Sequence, residues 1–162
     1  MKNLIYFLLI LIAFTSCSHS HVVITDNEIP EEVFYLADQL KPFSGECIIY
    51  FDNTEIVKEK MTFKKGILHG TMTSYYKNGN IRRQGTFVDG KIEGKWDSWY
   101  QNGKKQYTAY FSNDTLNGEY MEWYATGVMK EKGLYAQNKP EGSWVEYDEA
   151  GMIISNKYYG NK

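Results

Sequence analysis

Apolar and polar residues alternate in short runs over most of the chain, and glycines separate the runs at a fixed spacing. The first glycine of each run recurs every 24 residues, at Gly70, Gly94, Gly118 and Gly142. A second glycine follows nine positions later in each unit, at Gly79, Gly103, Gly127 and Gly151. Matched glycines and aromatics at a constant period indicate a repeat architecture.

Each 24-residue unit predicts a β-hairpin. The six residues after the first glycine are predicted as one strand, and residues such as 81–88 and 105–112 as the second. Asn78-Gly79 and Asn102-Gly103 predict hairpin turns, with positive φ expected at both residues. A second turn closes each unit, at Asp89-Gly90, Asn113-Asp114 and Gln137-Asn138.

Hairpins joined by short turns form a meander, so the expected fold class is all-β, an elongated antiparallel β-meander of tandem hairpins. The predicted repeat domain covers residues 33–162, with units at about 45–70, 70–94, 94–118, 118–142 and 142–162. Residues 33–45 are predicted as half a unit, and a helix over residues 30–40 is the alternative.

Strand alternation assigns the aromatic side chains to faces. Positions two and six of a unit share one face, and position five points to the other. Position fifteen is small in three units (Gly85, Ala109 and Gly133), which leaves room for a neighbouring ring to lie on the backbone. Because both faces carry aromatics, we expect a partly wet groove, whose candidate residues are Trp96, Trp99, Tyr100, Tyr120, Trp123, Tyr124 and Trp144.

The N-terminal segment has the features of a targeting signal. Residues 4–14 are an uninterrupted apolar run after Lys2, too short for a bilayer span, which needs ~20 residues. Thr15-Ser16-Cys17 follows and resembles the lipobox of bacterial lipoproteins, in which the signal is cut before an acylated cysteine. Residues 1–16 are therefore predicted as a signal peptide and Cys17 as the lipidation site. An ordinary secretory signal with an incidental cysteine is the alternative.

Residues 17–32 are polar and are predicted as a flexible tether. Acylation of Cys17 would leave Cys47 without a disulfide partner, and Cys47 is expected to be a small buried strand residue. His19 and His21 lack further ligands at metal-binding spacing, so no metal and no cofactor are predicted.

Charge and residue composition disfavour two classes of function, nucleic-acid binding and catalysis. The formal net charge is −2, which gives no basis for a nucleic-acid partner held through phosphates. Beyond residue 21 the sole histidine is His69, and no nucleophile or acid–base pair accompanies it. We therefore expect a protein that is not an enzyme. Aromatic residues make up 16% of the chain and are its main candidate binding chemistry.

The Gly-x₅-aromatic-x₂-Asn-Gly hairpin, repeated over residues 45–162, resembles the MORN-repeat variant of bacterial proteins, including YwqK-type antitoxins. The closest stretch runs from Tyr75 to Gly94. The resemblance implies a binding scaffold for proteins or membrane-associated partners, and for the antitoxin members neutralisation of a toxin.

These features together predict a non-catalytic lipoprotein of the bacterial cell envelope, anchored through Cys17, at the outer membrane. Its repeats would bind a partner protein. An immunity or antitoxin protein is the first alternative, and a glycan-binding protein of the envelope is the second. A hydrolase of envelope polymers is the hypothesis from another class.

Acylation of Cys17 is directly testable. Cells that express the full chain should incorporate radiolabelled palmitate into it, and the Cys17→Ala variant should lose the label, because the thiol that carries an acyl chain is gone. Equal labelling of both proteins would contradict the lipobox assignment.

Overall fold

In a computed structural model, residues 21–24 and 42–160 are described, and they form one eleven-stranded sheet. The strands are β1 (His21–Ile24), β2 (Gly45–Tyr50), β3 (Val57–Lys64), β4 (Ile67–Tyr75), β5 (Ile81–Val88), β6 (Lys91–Trp99), β7 (Lys105–Ser112), β8 (Thr115–Trp123), β9 (Met129–Ala136), β10 (Lys139–Tyr147) and β11 (Ile153–Tyr159). The predicted signal segment, Cys17 and the alternative helix at 30–40 lie outside the described residues.

The strands follow one another across the sheet in chain order, and every pair from β2 to β11 is antiparallel. This confirms the predicted meander of tandem hairpins. Strand β1 differs, since it pairs in parallel with β2, His21 opposite Glu46 and Ile24 opposite Ile49. Four residues of the predicted tether are therefore part of the sheet, which their polar surroundings in the sequence did not indicate.

Two turn types alternate along the sheet, and the prediction of positive φ at both Asn-Gly residues was wrong. Only the glycine has positive φ there, 84° at Gly79 and 82° at Gly103. The Gly79 amide donates to Tyr76 O, and the Asn78 side chain accepts from the Asn80 amide. This is the longer hairpin loop in which a left-handed glycine follows a turn.

The shorter closing turns are the ones with positive φ at two consecutive residues. Asn113 and Asp114 have φ of 50° and 65°, and Gln137 and Asn138 have the same values. Such a two-residue turn matches the right-handed twist of the flanking strands. Glycine is therefore not obligatory in these turns, where asparagine and aspartate tolerate the left-handed region.

The unit-opening glycines lie inside strands and not at strand starts. Strands β4, β6, β8 and β10 each contain two extra residues relative to the preceding strand. In β6, for example, Glu93 pairs with Thr86 and Asp97 with Gln84, so a step of four residues in β6 lies opposite a step of two in β5. Gly94 lies in such an irregularity with φ of 73°. A bulge needs a residue that accepts this backbone geometry, which explains why glycine recurs at this position.

The small residues at position fifteen act as seats for aromatic rings, as predicted. A Cβ added to Gly85 would lie 2.0 Å from the Trp96 ring, and one added to Gly133 would lie 2.3 Å from Trp144. Ala109 fills the equivalent site opposite Trp96 and Tyr120 and is buried. The first-unit end of the sheet instead holds an aliphatic and aromatic cluster, formed by Phe43, Cys47, Ile49, Met61 and Phe63.

Replacing Gly85 by alanine should destabilise the protein by about 1–3 kcal/mol, because the new methyl group overlaps the indole of Trp96. The free energy of unfolding can be measured in urea. In a Trp96→Leu background the same change should be neutral or favourable, since alanine is the better strand residue once the ring is absent. An equal cost in both backgrounds would show that the ring does not set the requirement.

Candidate functional site: the aromatic stripe

The seven residues predicted to line one groove lie on two faces of the sheet. Trp96 and its equivalents Tyr120 and Trp144 lie on the face that also carries Gly85 and Gly133, here called the seated face. Trp99 and Trp123 are separated from these residues by an odd number of strand positions and therefore point to the opposite face, here called the stripe face. A single groove containing all seven residues is thus not what the fold builds.

On the seated face, the tryptophans are part of the packing. Trp96 is 6% exposed and Trp144 is 7% exposed. Trp96 meets Phe87 edge-on at 5.7 Å between ring centroids, and Trp144 meets Tyr135 edge-on at 5.0 Å. Each such pair contributes about 0.5–1.5 kcal/mol beyond the area it buries. These rings support the fold and offer little surface to a ligand.

The tyrosines at position six connect successive units. Tyr76 Oη donates to Trp99 O at 2.7 Å, Tyr100 Oη to Trp123 O at 2.8 Å, and Tyr124 Oη to Tyr147 O at 2.8 Å. The turn asparagine adds a parallel contact, since Asn102 Nδ2 donates to Ala125 O at 2.9 Å. Tyr100 and Tyr124 therefore use their polar atoms within the sheet.

Position five supplies a row of half-buried aromatic rings on the stripe face. The members are Tyr50, Tyr75, Trp99, Trp123 and Tyr147, here called the aromatic stripe. They lie on alternate strands, so consecutive rings are about 9.6 Å apart along the sheet. Cross-strand partners of the second strands fill the gaps: Val57, Ile81, Lys105, Met129 and Ile153.

A charged group borders the middle of the aromatic stripe. Lys105 Nζ lies 5.2 Å from the Trp99 ring centroid and 2.9 Å from Asp97 Oδ1. Burial would raise the pKa of Asp97, but hydrogen bonds from Thr108, Lys105 and Lys95 outweigh burial and leave that pKa lowered. Asp97 thus stays ionised and pairs with two lysines, of which Lys105 lies beside the ring.

The seated face carries a second polar feature, a row of glutamates on three neighbouring strands. Glu122 pairs across strands with Glu131, and Glu131 with Glu146. Burial opposes ionisation of Glu122, yet its pKa is lowered because Lys130 and Tyr120 donate to it. Burial and the neighbouring Glu122 raise the pKa of Glu131.

Other residues singled out in the sequence have structural environments. Cys47 is fully buried, and burial raises the pKa of its thiol to about 11, which fits the predicted inert strand residue. His69 lies in β4, with Nδ1 3.3 Å from Asp89 Oδ1 in the next turn. Within residues 21–24 and 42–160, no group of three or more His, Cys, Asp or Glu side chains is arranged to hold a metal.

No helix in the described part of the chain is long and apolar enough to cross a membrane. The predicted lipidation site at Cys17 lies outside that part, so the anchor stays a prediction.

Sequence comparison identifies the repeat. Residues 68–89, 92–113 and 116–137 each match the family model described as MORN repeat variant. The sheet contains three tandem MORN repeat variants. Each match begins in the first strand of one unit and ends in its closing turn, so the matched segments are the hairpins β4–β5, β6–β7 and β8–β9. A search of curated proteins found no match.

The stripe was only partly predictable from the MORN repeat sequence. Alternation placed Tyr75 and Tyr147 with Trp99 and Trp123, but the groove prediction selected rings from the middle and late units and mixed both faces. Tyr50 was missed because that prediction did not include the first unit. Tyr50 also lies five positions after its unit glycine, Gly45, so this spacing is the signal that could have identified all five rings.

The hydroxyl contacts between MORN units can be tested by paired substitutions. Tyr76→Phe should lower the free energy of unfolding by about 1 kcal/mol, because the Trp99 carbonyl loses its donor. The adjacent Tyr75→Phe is the matched control, and its effect should stay within about 0.5 kcal/mol. Urea unfolding of both variants measures the difference, and equal losses would argue against the contact.

Proposed function

We propose that this protein is a non-catalytic binding module whose aromatic stripe contacts an extended segment of a partner protein, and that acylated Cys17 anchors it in the bacterial cell envelope. The observation that carries the proposal is the regular row of half-buried rings on the stripe face. Tyrosine and tryptophan are the residues most enriched among the anchors of protein interfaces.

The spacing of the stripe supports an extended partner. A polyproline II segment presents the same side every three residues, about 9.3 Å, which is close to the ~9.6 Å between stripe rings. Aromatic rows of this kind suit proline-rich or otherwise extended chains, because those chains lose little entropy when they bind.

The hydrogen bonds between units indicate that the surface is preorganised. Because Tyr76, Tyr100 and Tyr124 fix the backbone carbonyls of the stripe residues, the rings keep their relative positions before a partner arrives. Preorganisation improves affinity by reducing the ordering cost of binding.

The test is capture from envelope extracts on the immobilised full chain. The double variant Trp99→Ala/Trp123→Ala should reduce partner affinity at least tenfold, as expected for the loss of two interface anchors. Tyr107→Ala is the matched control, since Tyr107 is half-buried on the seated face and should leave capture unchanged.

Two results would count against the proposal. Undiminished capture by the stripe variant would remove the stripe from the interface. Displacement by soluble envelope glycan, with no protein enriched on the wild-type chain, would favour glycan binding instead.

A further inference from the structure

Strand β11 is the outer edge of the sheet at the C-terminal side, and several of its apolar residues are exposed. Ile153 is 62% exposed, Ile154 63% and Tyr158 62%. Within residues 21–24 and 42–160, every strand from β2 to β10 has a partner on both sides, whereas β11 pairs only with β10. Alternate backbone N–H and C=O groups of β11 therefore face outwards, ready to pair with another strand.

The sequence of the last unit indicates that the occupant of this edge is not a further repeat. Position fifteen, which seats the ring of the next unit at Gly85 and Gly133, is Lys157 in β11. Position six is a tyrosine that reaches the next unit in the three units before, but here it is Asp148. Its carboxylate accepts from the Ala150 and Met152 amides of its own turn. Both devices that join one unit to the next are absent from the last one.

We propose that β11 pairs with β11 of a second copy of this chain, antiparallel and about a two-fold axis at Asn156. In this register Ile154 lies opposite the second copy's Tyr158, and the two-fold axis forms this pair twice. Aliphatic–aromatic cross-strand pairs of this kind stabilise antiparallel sheets. A two-fold axis makes both halves of the interface identical, so one set of contacts is formed twice.

Neighbouring registers are less favourable for specific reasons. An axis at Ser155 places Ile154 opposite Asn156, which leaves an apolar side chain against a polar one. An axis at Lys157 places the two lysines of the dimer directly opposite each other, and like charges in that position are destabilising. Of these three axes, only the one at Asn156 places Ile154 opposite an apolar side chain and Lys157 opposite the small Ser155.

Charge complementarity supports the same register. The cross-strand row on the seated face runs from Glu122 through Glu131 and Glu146 to Ser155. Pairing about Asn156 continues this row with the second copy's Lys157, about 10 Å from Glu146 along the sheet. Within one chain Lys157 Nζ is 3.9 Å from Glu146 Oε1, so the row already attracts this lysine.

The first test uses a thiol-specific cross-linker on the purified full chain in mild detergent. Asn156→Cys places one thiol from each copy at the axis, so a short bismaleimide should convert most of the protein to a species of twice the mass. Glu149→Cys is the matched control, exposed in the adjacent turn but away from the axis, and should stay monomeric. The wild-type chain measures the background from Cys17 and the buried Cys47.

The second test measures assembly without a cross-linker. A single paired strand buries less than about 1,200 Å², so sedimentation equilibrium should be run up to about 100 µM to detect a weak dimer. Ile153→Lys/Ile154→Lys should make the chain monomeric while its far-ultraviolet dichroism and thermal midpoint stay unchanged, because both side chains are exposed.

Three results would overturn the inference. A wild-type chain that is monomeric at every concentration excludes the dimer. A dimer that survives the double lysine variant places the contact elsewhere. Efficient cross-linking through Glu149→Cys but not Asn156→Cys excludes this register.

Discussion

The fold depends on the contact between an aromatic ring of one unit and the backbone of a small residue in the unit before it. The described residues form a single-layer sheet, so no second layer covers the apolar side chains. Trp96 lying on Gly85 and Trp144 lying on Gly133 bury large rings within the sheet itself. The edge-on partners Phe87 and Tyr135 complete each site. Since every seat lies in one unit and every ring in the next, stability accumulates along the array through contacts between neighbours.

The polar contacts between units also repeat every 24 residues, and they occur at both ends of the strands. At one end the tyrosines of position six bind the carbonyls of the following unit. At the other end, turn side chains reach back, as Asp114 Oδ1 accepts from the Ile92 amide and Asn138 Oδ1 from the Leu116 amide, at 2.7 and 2.8 Å. Aspartate and asparagine in these closing turns thus serve two purposes: they tolerate positive φ, and they join units. This explains why Asn113-Asp114 and Gln137-Asn138 can replace the glycine-containing turn at Asp89-Gly90.

The hairpin array could be predicted because every unit repeats its glycines and rings at the same positions, so that several units give the same strand and turn assignment. The seats at Gly85 and Gly133 followed from residue size alone. The choice of turn type could not be predicted, since Asn-Gly occurs in both kinds of hairpin loop, and only the extra loop residues distinguish them. For the candidate surface, the sequence predicted the faces of the rings but not their burial. Alternation gave the faces, but burial of Trp96 and Trp144 depends on contacts across strands that one-dimensional spacing does not show. The pairing of His21–Ile24 with β2 is a long-range contact between non-repetitive segments, for which the repeat carried no information.

The separation of roles between positions five and six suggests how such an array keeps its fold while its surface varies. Position six is tyrosine in the units that begin at Gly70, Gly94 and Gly118, where Tyr76, Tyr100 and Tyr124 donate to carbonyls of the following unit. In the first unit the residue is Phe51, which lacks a hydroxyl, and Lys77 Nζ lies 5.5 Å above its ring instead. In the unit that begins at Gly142 it is Asp148, whose carboxylate accepts from amides of its own turn. Position five, by contrast, is either tyrosine or tryptophan, with no dependence on a hydrogen bond that the fold requires. Substitutions at position five therefore alter the aromatic stripe at small cost to the contacts between units, whereas position six is constrained by the neighbour that it must reach.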